Sequence, residues 1–353
     1  MQKIKLSMPI SISDHCNLNC DGCYTLSNYD LKGHQYWDDF KEIFLEWSKK
    51  IDLVDWSIYG GEPTLNPTIL DWLKGICDLW PESTGLIATN GYTLGPSKKS
   101  KQLYDFLAKQ QGQIYVHISL HDIDNLDQMV ARVRGWLQDV VSVTRAPALE
   151  DILNSHTNWS DTYNSIRGTD WPLCDSWDEF KNLPLSIQKE CDELFNFSDV
   201  KFADKLQGYK FTDINGVVVL ISKIHWHSQG PLLPQPDFKT FKLHSSDPNR
   251  AHDACANKFC SEIYKGKIYK CNTVGHFATF DQQFNIELTD DERNLLHSYN
   301  PCSSSASITE IQEFLENLKN PLPQCTFCSE ELVMTEIHSS TKKIIFQKKI
   351  DKT

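Results

Sequence analysis

Cys16-Asn17-Leu18-Asn19-Cys20-Asp21-Gly22-Cys23-Tyr24 is the stretch on which the reading of this chain turns. Three cysteines fall within eight residues, separated by three and then two positions, with no fourth nearby. Iron–sulfur clusters are held by thiolates, and a short loop with this spacing suits one side of a [4Fe–4S] cube. Three thiolates on four irons leave one iron without a protein ligand. Such an iron is open to a substrate or cofactor, as the free position of a catalytic zinc is. The alternatives are a zinc knuckle and three unrelated thiols. Zinc asks for a fourth Cys or His, and His15 is adjacent but shares the same tight loop.

Upstream, Ile4, Leu6, Met8, Ile10 and Ile12 alternate, so residues 4 to 13 read as a strand that delivers the chain to Cys16. Downstream, the apolar run Val54-Asp55-Trp56-Ser57-Ile58-Tyr59 ends in Gly60-Gly61-Glu62-Pro63. Glycines at a strand end let the backbone approach a ligand closely. Together the two motifs resemble the radical S-adenosylmethionine (SAM) enzymes, which carry a CxxxCxxC loop after the first strand and GGEP after the second. The match holds in motif, order and separation. One departure is the residue before the third cysteine, usually aromatic in that family and Gly22 here, with Tyr24 placed to supply the packing.

The chain between and beyond these motifs alternates strand and helix. Residues 36 to 50 read as an amphipathic helix through Phe40, Ile43, Phe44 and Trp47. Pro67 starts another, whose apolar stripe includes Cys77 and makes that thiol a packed one. Strands are expected at 85–89, 114–120 and 140–144, with helices at 98–111 and 126–137. Asn215-Gly216 signals a tight turn between Tyr209–Phe211 and Val217–Ile224, the second of which reads as a sixth strand. Repeated alternation implies parallel strands joined by crossovers. The expected class is therefore α/β, and the resemblance implies a partial (βα)6 TIM-like barrel with a small C-terminal α+β cluster-binding domain. Sites in parallel barrels gather at the C-terminal strand ends. Cys16 to Cys23, Gly60 to Pro63, Asn90, Ser119 and Arg145 all fall there.

The expected boundaries are 1–235 for the barrel and 245–353 for the second domain, with Gly230–Pro236 as linker. Residues 150–212 read as an insertion, either a lid over the barrel mouth or a surface loop with aromatic anchors, and 176–195 as potentially helical. Cys174 and Cys191 have no partner spacing. His225-Trp226-His227 sits at a strand end, open equally to a substrate contact and to a surface role.

Composition excludes some classes. The chain has 353 residues, 40% hydrophobic and 23% charged, with a formal net charge of −12. That balance disfavours a broad phosphate-binding surface, so nucleic acid is not the expected partner. No run of about 18 apolar residues spans a membrane, and Met1 to Met8 lacks the apolar core of a signal peptide. Twelve cysteines in clustered CxxxCxxC and CxxC spacings then favour metals or clusters over disulfides, and a cytoplasmic location is expected.

Cysteines return after residue 245. Cys260 to Cys271 reads as a hairpin with a Lys265-Gly266 turn and a thiol at each end, and Cys325-Thr326-Phe327-Cys328 adds a pair. Four thiolates suffice for a cluster or a structural zinc. The pattern resembles the Twitch domain, the shortened SPASM extension of radical SAM enzymes, which binds one auxiliary [4Fe–4S] cluster. A zinc ribbon is the alternative. Cys255 rivals Cys260 as ligand. Cys302, in Pro301–Ser305, reads as a free thiol in a flexible stretch, and the tail from Lys342 as basic and solvated.

The resemblance implies that Cys16, Cys20 and Cys23 bind three irons while the fourth chelates SAM. One electron then cleaves SAM to methionine and a 5′-deoxyadenosyl radical, which takes hydrogen from the substrate. Gly60, Gly61, Glu62 and Pro63 match the segment that meets the methionyl amine. Ser119 and Arg145 match positions that hold the ribose and carboxylate, with ordinary strand-end polarity as the alternative, and Asn90 is a further SAM contact. The expected partners are a reductant such as flavodoxin or ferredoxin and a small-molecule substrate. No peptide-recognition domain is read before Cys16, and no ferredoxin-like insert of the kind that accompanies glycyl-radical activation. An oxidoreductase-type enzyme is expected, oxidising or rearranging that substrate. A peptide-modifying enzyme is the alternative, and a non-catalytic iron–sulfur or zinc module is the reading from a different class.

Overall fold

The computed structural model describes residues 2–20, 23–120, 126–147, 207–223, 226–228, 232–234, 241–255, 261–284, 286–331 and 333–335. Strands β1 (Ile4–Ser13), β2 (Ile51–Gly60), β3 (Thr84–Thr89) and β4 (Ile114–Leu120) run parallel and side by side. Helices α1 (Trp37–Ser48), α2 (Ile69–Leu79) and α3 (Lys98–Lys109) connect them. Period-2 alternation in β1 turns Leu6, Met8, Ile10 and Ile12 into one core with Phe44, Trp47, Trp72 and Ile76 of the helices. The half-buried Cys77 packs against that core, as its place on the apolar stripe requires.

Helix α4 (Leu126–Trp136) leads to β5 (Val140–Pro147), and β6 (Gln207–Asp213) and β7 (Val218–Lys223) follow. The full nine-stranded order is β12-β11-β1-β2-β3-β4-β7-β6-β5, with β11 (Glu262–Tyr264) and β12 (Lys267–Tyr269) coming from far along the chain. A simple barrel count places the strand at 140–144 beside β4. Instead β7 takes that position, and β5 pairs antiparallel with β6 at the far edge. The cause is the β6–β7 hairpin, which the 209–224 pattern only half revealed. Gly216 at φ +76° makes its turn. Asp213 accepts from the Asn215 and Val217 amides at 2.9 Å each and from the Tyr104 hydroxyl at 2.5 Å, which fixes the turn on α3. A hairpin closes over a short loop, so β6 and β7 enter the sheet as one unit.

Short strands β8 (Trp226–Ser228), β9 (Leu232–Pro234) and β10 (Phe241–Leu243) precede helix α5 (Pro248–Asp253). The 260–271 hairpin is present as β11 (Glu262–Tyr264) and β12 (Lys267–Tyr269), in the register Ile263↔Ile268. It extends the barrel sheet: β11 pairs parallel with β1 through Ile10↔Ile263 and Ser11↔Tyr264. Its turn rests on α1, where the Trp47 indole donates to the Gly266 carbonyl at 3.0 Å. Helices α6 (Asn272–Phe284), α7 (Asp290–His297) and α8 (Ile308–Glu316) follow, and β13 (Val333–Thr335) pairs with β8. Ile263, Ile268, Ile311 and Leu315 belong to the same core as β1 to β4, so sheet and core run across the 235–245 segment. Cys302 is a free thiol as expected, but it does not lie in a loose surface stretch. It is a buried free thiol, exchanging two 2.9 Å backbone bonds with Ile268, because β12 recruits it as a third edge. The 176–195 stretch, Cys174, Cys191, His225 and the tail from Lys342 lie outside the described residues, as does the 150–212 insertion up to residue 206.

Candidate cofactor and metal sites

The cysteine loop begins where β1 ends, and the glycine pair ends β2 beside it. Gly61 donates its amide to the Ser13 carbonyl at 2.6 Å, and Glu62 donates to the His15 carbonyl at 2.8 Å. A Cβ on Gly60 (φ +134°) would lie 2.3 Å from the Ser13 carbonyl oxygen, and one on Gly61 would lie 2.3 Å from that of His15. The glycines therefore admit the backbone of the cysteine loop itself; their close approach is to protein.

Glu62 is fully buried. Its carboxylate accepts from the Thr64 amide at 3.1 Å, the Thr64 hydroxyl, the Thr89 hydroxyl at 2.6 Å and the Asn90 amide at 2.8 Å. Burial pushes its pKa up, against these hydrogen bonds. It ties the end of β3 to the end of β2. Pro63 opens the short 3₁₀ turn Pro63–Leu65 that carries Thr64. Asn90 then reaches the loop, donating to Asn17 Oδ1 at 2.8 Å and approaching Cys16 Sγ at 3.9 Å. Asn17 and Thr25 carried no sequence signal of their own. Thr25 Oγ1 lies 3.3 Å from Cys23 Sγ and 3.5 Å from the Gly60 carbonyl.

Cys20 is buried, and Cys16 and Cys23 are half-buried. Burial pushes the Cys16 thiol up to about 12, with the Glu62 and Cys23 charges adding to it and the Leu18 amide, 3.4 Å from Sγ, opposing it. Among the described residues no three Cys, His, Asp or Glu side chains converge on a single ion. Thiolates that each take a different iron need no such convergence. Three thiols at a strand end, with a backbone amide aimed at one sulfur, suit a cluster.

Ser119 is half-buried at the end of β4, and its register partner is Ser222 of β7. Arg145 pairs with Tyr209 of β6, so two strands separate its strand from β4. On the same side of β4 as Ser119 is His117, whose pKa burial lowers to about 4. It lines a cavity of about 230 Å³ together with Ser7, Asp55, Ser57, Leu86 and Tyr115.

A second thiol group forms in the C-terminal part. Cys271 precedes α6, and Cys325 lies in the 3₁₀ turn Pro323–Phe327, followed by Cys328. The α5 segment packs on that turn. Ser246 and Thr326 exchange bonds of 2.9 and 2.8 Å, and Arg250 pairs with Glu330 at 3.0 Å. Cys255, just beyond α5, thereby joins the group, while Cys260 lies outside the described residues. Burial pushes the Cys328 thiol well up, and the charges of Cys271, Cys255 and Cys325 add to it. Cys271 is raised to about 11 by burial, against the amides of Val274 and Thr273. Burial pushes the Lys270 ammonium down, against the charges of Cys325, Cys271 and Cys255, which favour its charged form. The four thiols stand close enough to disfavour one another's ionisation, yet they do not converge on a single ion; thiolates on separate irons of a cluster would not need to.

Between the two groups lie buried ionisable residues the sequence did not single out. His276 Nδ1 stands 3.6 Å from Asp14 Oδ1, and its Nε2 stands 3.4 Å from Glu262 Oε1. Burial disfavours charge on the ring, but the two carboxylates outweigh it and hold its pKa at about 9. Burial likewise raises Asp14, and His276, Lys265 and Tyr264 more than offset this, leaving it below the usual carboxylate range.

Comparison with known proteins bears on the first half of the chain. Residues 10–161 match the family model described as Radical SAM superfamily. GTP 3′,8-cyclase of Trichodesmium erythraeum (strain IMS101) is 30% identical over 125 residues, 33% of this chain and 34% of that protein. GTP 3′,8-cyclase of Nostoc punctiforme is 29% identical over 132 residues, 34% of this chain and 37% of that protein. The match thus spans about a third of the length of these curated relatives. Among solved structures, Streptococcus suis SuiB bound to S-adenosylmethionine aligns at 24% identity over 35% of this chain and 25% of its own, with a TM-score of 0.27. SuiB bound to precursor peptide SuiA aligns at 26% identity over 35% and 26%, with a TM-score of 0.29. Among the described residues no helix is long and apolar enough to cross a membrane.

Proposed function

We propose that the chain is a radical SAM enzyme in which Cys16, Cys20 and Cys23 hold three irons of a [4Fe–4S] cluster and leave the fourth for SAM. The observation that carries this reading is the grip on the cysteine loop. Gly61 and Glu62 bond to Ser13 and His15, which lead into the loop, and Asn90 bonds to Asn17 inside it, within the segment that matches the Radical SAM superfamily. When bound, the cluster supplies the electron that splits SAM into methionine and a 5′-deoxyadenosyl radical. The protein's own part is binding, orientation and exclusion of water. Glu62 spends its acceptors on Thr64, Thr89 and Asn90, so it positions the GGEP backbone, which is left to meet the methionyl amine. Ser119 on β4 is assigned to the ribose of SAM and Arg145 on β5 to its carboxylate, as the family resemblance implies. Reduction is assigned to a flavodoxin or ferredoxin.

The C-terminal thiols are proposed to bind an auxiliary [4Fe–4S] cluster in a Twitch-like unit, through Cys271, Cys325, Cys328 and either Cys255 or Cys260. Packing of α5 on the 323–327 turn supports Cys255. The proposed substrate is a small molecule, oxidised or rearranged after hydrogen abstraction. The cyclase relatives carry GTP in their name, but the described lining of the 230 Å³ cavity presents Asp55 and no Lys or Arg, which fits a neutral polar or cationic molecule better than a triphosphate. Modification of a peptide is the second reading.

The test is spectroscopic. In reconstituted, dithionite-reduced protein, adding SAM changes the electron paramagnetic resonance signal of a [4Fe–4S]⁺ centre. A spectrum indifferent to SAM contradicts an open iron.

A further inference from the structure

The reading above makes no use of the charged array buried between the two thiol groups. His276, Glu262 and Asp14 are 0%, 1% and 5% exposed. Each belongs to a different segment with a job nearby. Asp14 directly follows β1, two residues before Cys16. Glu262 lies on β11 and accepts from the hydroxyl of Tyr59, the neighbour of Gly60 on β2. His276 lies on α6, the helix that begins immediately after Cys271. Tyr264 adds a parallel link, its hydroxyl 2.8 Å from Asp14 Oδ1 and 2.8 Å from Thr279 Oγ1 of the same helix.

Helix α6 has no packing need for this array. Phe277 and Phe280 already seat it against Leu26, Tyr29 and Leu31 at the exit of the cysteine loop. Burying an imidazole between two carboxylates is costlier than burying apolar side chains of the same volume. The best-attested use of such groups is to fix one register among several that apolar packing alone would accept. Here the elements held in register are the end of β1, the end of β2 and α6.

We propose that Asp14, His276 and Glu262 form a clamp through which α6 positions the Cys16–Cys23 loop against Gly60–Glu62, coupling that loop's order to the seating of Cys271. His276 is thus a positioning residue, acting through Asp14 on the loop. The clamp is a property of the polypeptide and stands whichever metal either thiol group binds.

The test uses the full-length chain, free of metal, followed by amide hydrogen exchange. His276→Phe keeps the volume and removes both ring nitrogens. It speeds exchange about tenfold or more in peptides covering 9–20 and 272–284, while 114–120 on β4 keeps its wild-type rate. His276→Gln, which retains one polar end, recovers part of the lost protection. Asp14→Asn combined with His276→Phe adds little to either alone, because both break the same link. Should His276→Phe fail to fold, Tyr264→Phe and Thr279→Val weaken the parallel link and are expected to raise exchange at 9–20 by a smaller factor. The proposal is overturned if 272–284 loosens while 9–20 keeps wild-type protection, or if the Asp14 and His276 effects are simply additive. Since no cluster or SAM is present, either result leaves the proposed chemistry untouched.

Discussion

Replacing Gly61 by alanine probes the joint on which the proposed SAM site is built. The new Cβ would sit 2.3 Å from the His15 carbonyl oxygen and 2.6 Å from its carbon, where ordinary contact begins near 3.4 Å. Neither atom is the far end of a flexible side chain, so the β2 end and the cysteine loop must part by about 1 Å. That shift breaks or stretches the 2.6 Å Gly61–Ser13 and 2.8 Å Glu62–His15 hydrogen bonds. A buried amide left without its acceptor costs about 1–3 kcal/mol, so two give a loss of about 2–6 kcal/mol. With a urea slope of about 3 kcal/mol/M, the unfolding midpoint falls by roughly 1 M. The assay is urea unfolding of metal-free protein followed by tryptophan fluorescence, with Gly135→Ala as control. Gly135 lies in α4 with nothing within 4 Å of a built Cβ, so that change is neutral or stabilises by up to about 1 kcal/mol. A Gly61→Ala midpoint equal to wild type would refute the claim that the glycine pair serves close backbone approach.

Other expectations follow from the same geometry. Asn90→Ala removes the bond to Asn17 and raises the SAM Kd about tenfold, by the loss of one well-aligned buried hydrogen bond; calorimetric titration of the reconstituted protein checks it, and an unchanged Kd contradicts it. Cys255→Ser lowers iron from about eight to about four atoms per chain while Cys260→Ser leaves it near eight; the reverse pattern assigns the ligand to Cys260, and about four irons with one zinc in wild type supports the ribbon. His276 is held at about 9 against an ordinary 6.5, and a raised folded-state pKa stabilises fully below the unfolded value. Its contribution of about 3 kcal/mol is therefore complete below pH 6.5 and lost as pH rises through 9. The stability difference between wild type and His276→Phe shrinks across that window, and a difference independent of pH would count against a cationic ring.

Local pattern carried most of the barrel half. Local pattern gave β1 and β4 to the residue, α1 within two residues of its ends and α2 within two residues of its start, because each signal is contained in its own segment. Sheet order was less legible. Whether 140–147 or 218–223 lies beside β4 depends on a pairing across a long connection, on which periodicity is silent. The thiol motif was legible as a list of donors, but the reason for the glycines was not, since their partner is backbone. Cys255 and Cys302 show the same divide: one is drawn into the second thiol group and the other into the core by contacts far along the chain. Asp14, Glu262 and His276 look like single polar residues in ordinary strands and a helix, and only folding makes them neighbours.

The most direct measurement is 5′-deoxyadenosine formed from SAM by anaerobically reconstituted, dithionite-reduced protein, wild type beside Cys16→Ala, Cys20→Ala and Cys23→Ala. A [4Fe–4S] site with one open iron predicts reductant-dependent 5′-deoxyadenosine and methionine from wild type, and none above background from the three variants. Cleavage at the wild-type rate in any of those variants, or its absence from wild type holding a full and reducible cluster, would contradict the account.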